Sequence, residues 1–375
     1  MTSFVLATVD AGGNVPPMVG IARELVRRGH TVTLLAHSQQ VLSLRKTGAE
    51  VIAYPTGRSY VASQERSDFA DLRDLSGLFA DRGIARDVVS TATMKEADVV
   101  LVDALLPRTI REVRQAGFAT ATLVHTFWSY WKSIGRGPFG IAVALRGTRM
   151  VHEVSQSDAI LVATLASLDL SSDADGAQSR IHHVGAVWQD HSATPDHVVR
   201  RLTDQKTILV SLSTTAYNGQ GELLQRIVAV LGELPYRVIV TTGPAINPAS
   251  LTAPEDISVQ TWGDHGELLP QVDLLVTHGG HSTATRALHH GVPMVIIPLH
   301  DALDQPSIAK RLSELGAAEH VHRTARPDQL RHAVETVIGD PSYRAAAQRL
   351  QNDARRMDGA TVAADLLERL AARSL

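Results

Sequence analysis

Short β-branched runs alternate along this chain with longer segments whose apolar residues recur every three or four positions, the pattern of α/β units built on parallel sheets. Phe4 to Thr8 and Thr31 to Leu35 read as strands. The helix between them starts near Pro16, places Met18, Ile21, Ala22 and Leu25 on one face, and ends where Gly29 supplies a C-terminal cap. Val99 to Val102, ending at Asp103, and Ala119 to Val124 read as further buried strands. The periodicity fades from Trp188 to Thr203, around Pro195, and then resumes. Thr207 to Leu212, Arg237 to Thr241, Ile257 to Thr261, Leu274 to Thr277 and Met294 to Ile297 predict a second sheet. The tail from Tyr343 is helical in pattern, with a break at Asp358 and Gly359. The expected organisation is a first domain over 1–187, a linker over 188–203, a second domain over 204–342, and terminal helices over 343–375 that cross back to the first domain.

Length supports the same division, since 375 residues exceed one ordinary core. A formal net charge of -3, with both signs spread along the chain, gives no basic field for nucleic acid or an anionic membrane, so a small molecule is the expected ligand. The absence of cysteine excludes disulfides, thiolate metal sites and cysteine nucleophiles. Met1 to Asp10 lacks the basic start of a signal peptide and no apolar run reaches membrane-spanning length, which gives the expectation of a cytoplasmic protein.

The segment Thr277-His278-Gly279-Gly280-His281-Ser282-Thr283 carries the most chemistry, because it follows a buried strand and opens a helix running to about His290. Glycines let the backbone approach an anion, and the free N–H groups at the helix start stabilise its charge. Ser282 and Thr283 add hydroxyl donors, and His278 adds an N–H or a full positive charge. The same glycines would also serve a helix packed close to a sheet.

Neighbouring positions separate these readings. Taken together, Trp262, His278-Gly279-Gly280, Thr283, Gly291-Val292-Pro293, Pro298 and Asp304-Gln305 resemble the donor-binding signature of the family 1 glycosyltransferases, the bacterial natural-product enzymes in particular. Gly13, Pro16, Gly29-His30 and Val32 resemble that family's N-terminal segment, and Ser211-Leu212-Ser213-Thr214 its loop after the first strand of the second domain. The resemblance implies the GT-B fold: α/β, two Rossmann-like domains whose parallel sheets face across a cleft. It also implies roles. Trp262 would stack on a nucleotide base; His278, Gly279, Gly280, Ser282 and Thr283, helped by Ser213 and Thr214, would hold a diphosphate; Asp304 and Gln305 would bind sugar hydroxyls. Ordinary packing for Trp262 and helix capping for Asp304-Gln305 are the structural alternatives.

Several positions depart from the family. Arg286 stands where most members carry a ribose-binding glutamate, and His265 replaces a usual glutamine in the donor site. Asn14 stands where many relatives have a histidine that deprotonates the acceptor, work an amide cannot do. Asp10, on the same loop, and His300 or Asp301, on a loop slightly longer than the family's, are the replacements that sequence position allows, unless no base is needed. Asn14 itself would either orient an acceptor or stabilise its loop.

Phe127, Trp128, Tyr130 and Trp131 cluster in a chain only 4% aromatic. The resemblance places them, and the segment from Arg58 to Arg86, beside the acceptor, so that Phe127, Trp128 and Trp131 would line a pocket for an apolar or aromatic molecule. A helix docked on the sheet is the plainer reading. Asp173-Ala174-Asp175 is a literal Asp-x-Asp but reads as a solvated turn, and no other cluster has metal-ligand spacing, so no metal is expected. Gly12-Gly13-Asn14 lacks dinucleotide-fingerprint spacing.

The expected activity is an inverting, metal-independent transfer from a UDP- or dTDP-sugar, the co-substrate in place of any cofactor, to a small acceptor. The sequence is also compatible with a homodimer. Transfer to nitrogen or carbon, and an inactive sugar-nucleotide-binding auxiliary protein, are the alternatives.

Overall fold

A computed structural model describes residues 1–61, 68–169, 180–188 and 205–374. These divide into two units: 1–61, 68–169, 180–188 and 357–374 form one, and 205–356 the other. Of the expected linker only Trp188 is among the described residues, and Asp173-Ala174-Asp175 lies outside them.

The first unit is built on strands β1 (Ser3–Ala7), β2 (Thr31–Ala36), β3 (Glu50–Ala53), β4 (Val99–Asp103), β5 (Ala119–Val124), β6 (Ala159–Val162) and β7 (Ile181–His183). They lie in the order β3-β2-β1-β4-β5-β6-β7, every pair parallel. The second unit uses β8 (Thr207–Ser211), β9 (Arg237–Thr241), β10 (Ile257–Gln260), β11 (Leu274–Thr277), β12 (Met294–Ile296) and β13 (Ala318–His320). Their order is β10-β9-β8-β11-β12-β13, again parallel throughout. Central strands such as β4 are buried along their whole length, as parallel strands covered on both faces require. Among the described residues no helix is long and apolar enough to cross a membrane.

Four strands lie beyond those expected from the apolar pattern. β7 and β13 are three residues each, with the polar sequences IHH and AEH; β3 is a half-exposed edge; β6 is apolar but only four residues long. In each case pairing with an established neighbour fixes the strand, which a local pattern cannot show.

The first helix, Val15–Arg27, packs Met18, Ile21, Ala22 and Leu25 against Phe4 and Leu6. The same core receives Ala360, Ala363, Ala364, Leu367 and Ala371 of the last helix, Gly359–Ser374. The Arg28 guanidinium links the two helices, reaching Asp365 at 2.6 Å and Glu368 at 2.8 Å. The chain between Val184 and Trp188 threads past them at two glycines. A Cβ on Gly20 would run into the Trp188 carbonyl, and one on Gly359 into the Ala186 carbonyl. Because the obstacle is backbone in both cases, Gly20→Ala is expected to lower stability by about 1–3 kcal/mol. Urea unfolding measures it, and an unchanged midpoint would show that the segment moves aside freely.

Candidate functional site

In the second sheet, chain order runs outward from β8 in one direction and from β11 in the other, so the two adjacent strands mark the point where the winding reverses. Ligands of open parallel sheets bind beyond strand C-termini at such a point. Here that edge carries Ser211-Leu212-Ser213-Thr214 after β8 and His278-Gly279-Gly280 after β11.

Both glycines are required. Gly279 has φ +84, and a Cβ there would lie 2.6 Å from Ile296 Cγ2 and 3.4 Å from the Gln305 carbonyl oxygen. A Cβ on Gly280 would meet the His278 ring at 2.6 Å. The turn therefore presses against β12 and the start of the helix Gln305–Glu314. From Gly280 the helix His281–His289 departs with no side-chain cap. Its opposite end is closed: Gln351 Nε2 and Arg355 Nε donate to the His289 carbonyl at 3.1 and 3.2 Å, and Arg344 donates to that of Gly291 at 3.0 Å. The negative end of the helix dipole is thus met by cations, while the positive end has no side-chain cap.

His278 is 7% exposed, and its Nδ1 has no hydrogen-bond partner among the described residues. Burial pushes the imidazole down to about 4, against a smaller opposing effect of the Leu212 backbone. At neutral pH the ring is uncharged and carries a single N–H. Ser282 and Thr283, both half-buried, occupy the first helical turn.

Tyr217, which the sequence did not single out, stands between two candidates, its ring centroid 6.3 Å from those of both His278 and His300. Buried Gln220 fixes its loop, accepting from the Tyr217 N–H and donating to the Ser213 carbonyl, each at 3.2 Å. Gln305, only 2% exposed, accepts the N–H of Leu299 at 2.7 Å and of His300 at 3.2 Å, so its carbonyl oxygen shapes the loop before Asp304. Asp301 is exposed and Asp304 half-buried at the helix start. After β10, Trp262 is 66% exposed, which removes core packing as its explanation. His265 Nε2 lies 3.1 Å from Ser211 Oγ; burial, aided by the Arg286 charge, lowers its pKa to about 4.

In the first unit Asn14 is fully buried, and both ends of its amide have local partners. Its Nδ2 donates to Asp103 Oδ2 at 2.6 Å, the Val9 carbonyl at 2.8 Å and Thr8 Oγ1 at 3.3 Å, while Oδ1 accepts the Ala11 N–H at 3.2 Å. These bonds tie the loop after β1 to the end of β4. Asp10 follows β1 on the same edge, and its N–H donates to His37 Nδ1 at 3.3 Å. Phe127, Trp128 and Trp131 are 3%, 1% and 3% exposed, the tryptophans on the helix Trp128–Arg136. The structure thus gathers the diphosphate candidates at one sheet edge and places Asp10 and Asn14 on another.

Residues 225–369 match the erythromycin biosynthesis protein CIII-like C-terminal domain family. The demethyllactenocin mycarosyltransferase of Streptomyces fradiae is 25% identical, the match covering 99% of this chain and 87% of that one. Among solved structures, the kitacinnamycin glycosyltransferase superposes with a TM-score of 0.78 at 24% identity over 98% of both chains. The glycosyltransferase VinC, solved with dTDP, gives 0.74 at 20% identity over 99% of this chain and 100% of that one. The chain is a glycosyltransferase of the GT-B fold. Its two parallel sheets are those the fold requires.

In this glycosyltransferase Asp103 is a residue the sequence showed only as a strand end. Burial raises its pKa from 3.8 to about 6, against the opposing bonds from Asn14, Leu105 and Thr8. Because the folded value lies above the unfolded one, Asp103 favours folding most below the unfolded pKa, and that contribution is lost as pH rises through about 6. Asn14→Ala removes a bond to the charged form, so it is expected to cost about 2–4 kcal/mol at pH 7 and to carry the falling limb of the stability curve above pH 6. Urea unfolding across a pH series checks this; a curve that superposes on wild type would show the Asn14 bond to be inconsequential.

Proposed function

We propose that this glycosyltransferase moves a sugar from a dTDP- or UDP-linked donor to a small apolar or aromatic acceptor, with inversion and without a metal. The start of the helix His281–His289, which has no side-chain cap, beside a His278 Nδ1 with no partner among the described residues, carries the reading. It is a ready receptor for a diphosphate, and both the dTDP-bound relative and the mycarosyltransferase support a nucleotide sugar as its source.

The acceptor nucleophile donates an electron pair to the anomeric carbon as the bond from that carbon to the diphosphate oxygen breaks, and the leaving electron pair stays on the diphosphate. First-turn N–H groups, the His278 N–H and the hydroxyls of Ser282 and Thr283 stabilise the charge that grows there. Trp262, exposed after β10, stacks on the base, and Asp304 binds the sugar. Because helix and hydroxyls neutralise the diphosphate, turnover is expected to be the same with and without EDTA.

The acceptor proton needs a destination, and Asn14 offers none. Asp10 in the first unit and His300 and Asp301 in the second are the groups that can receive it. The locally bonded Asn14 amide also favours a second reading, transfer to nitrogen or carbon, where the nucleophile needs no prior deprotonation. Product stability to acid separates a C-glycoside from an O-glycoside.

His278→Ala is expected to lower turnover by roughly 100-fold or more, the usual scale for losing a donor aimed at developing charge. Steady-state release of nucleotide diphosphate measures it, and near-wild-type turnover would refute the diphosphate assignment.

A further inference from the structure

The helix Trp128–Arg136 begins at Phe127, which supplies no side-chain cap. Its first-turn N–H groups are instead taken by a carboxylate from beyond β6. Asp169 accepts from the Trp128 N–H at 2.7 Å and the Ser129 N–H at 3.1 Å. The Asp169 side chain is wholly buried, and His183 Nε2, at the end of β7, lies 3.1 Å from its Oδ2. Burial alone would raise Asp169, but the bonds from His183, Ser129 and Trp128 outweigh it and hold the carboxyl below its ordinary value. The end of β7 and the segments following β5 and β6 thus converge on the start of one helix.

The side chains of that helix are treated differently. The indole N–H groups of Trp128 and Trp131 are both buried and have no hydrogen-bond partner among the described residues. One helical turn separates the two residues, which puts them on one side of the helix. Buried donors are nearly always paired, so two unpaired indoles on a helix this firmly held call for a ligand. Phe79 stacks on Trp131 with centroids 5.9 Å apart and planes at 21°, so this indole already packs face to face with a flat ring.

We propose that Asp169, braced by His183, is a positioning residue that holds this helix so that Trp128 and Trp131 donate their indole N–H groups to a carbonyl or phenolic oxygen of a planar, largely apolar acceptor. The proposal rests on the first unit being the acceptor-binding one. It makes the aromatic cluster a specific recognition surface, selecting oxygenated rings over plain hydrocarbons.

The test is isothermal titration of the full chain with umbelliferone, a planar lactone bearing a carbonyl and a phenol, and with dTDP in parallel. Wild type is expected to bind both. Trp131→Phe keeps an aromatic ring but removes the N–H, and Asp169→Asn removes the charged clamp; each is expected to weaken umbelliferone about tenfold, the scale of one lost hydrogen bond, while dTDP binding stays unchanged. Failure of wild type to bind umbelliferone, or unchanged umbelliferone affinity in Trp131→Phe, overturns the proposal. Should Asp169→Asn lose dTDP as well, through misfolding, Trp131→Phe alone decides. Wild type that binds umbelliferone with this dependence on Trp131 but fails to bind dTDP supports the proposal while refuting the donor reading.

Discussion

Parallel pairing is the constraint on which this molecule depends. In both sheets every strand points the same way, so the loops that leave strand C-termini emerge along a single edge of each sheet. Residues far apart in the chain are thereby brought to neighbouring strand ends. Ser211 and His278 follow adjacent strands in the second sheet, as Asn14 and Asp103 meet across β1 and β4 in the first. The order reverses between β8 and β11, the kind of position at which open parallel sheets bind ligands, and the helix His281–His289 starts there.

What gathers there is a matter of which polar groups the fold satisfies and which it leaves. The C-terminal carbonyls around His289 and Gly291 are met by Gln351, Arg355 and Arg344, and the Asn14 amide has partners at both ends. The start of the helix His281–His289 has no side-chain cap, and the Nδ1 of His278 has no partner among the described residues. A buried polar group left unpaired costs stability, and a ligand that supplied the missing hydrogen bond at His278 would recover it. The neutral His278 suits that role, as it donates a hydrogen bond without placing an unpaired charge in the interior.

The long buried strands and the glycine turn after β11 were legible in the sequence, because a continuous apolar run and a Gly-Gly step between strand and helix are local signals. The short strands β7 and β13 were not, since pairing alone makes them strands. The same division runs through the candidate site. His278, Gly279 and Gly280 announced themselves through one contiguous motif. Tyr217, Asp103 and Asp169 act through partners 61, 89 and 41 residues away, and nothing beside them in the chain reveals those partners. Asn14 shows the limit most clearly. Its residue type ruled out a base, but only the fold brings it to Asp103, Val9 and Thr8, the partners that hold its side chain.

If the helix start at Gly280 holds a diphosphate, calorimetric titration of the full chain should distinguish dTDP from thymidine. If the diphosphate is the anchoring group, dTDP should bind at least about 100-fold more tightly than thymidine, roughly 2.7 kcal/mol. Equal affinities would contradict a diphosphate site there, because the base alone would then account for binding.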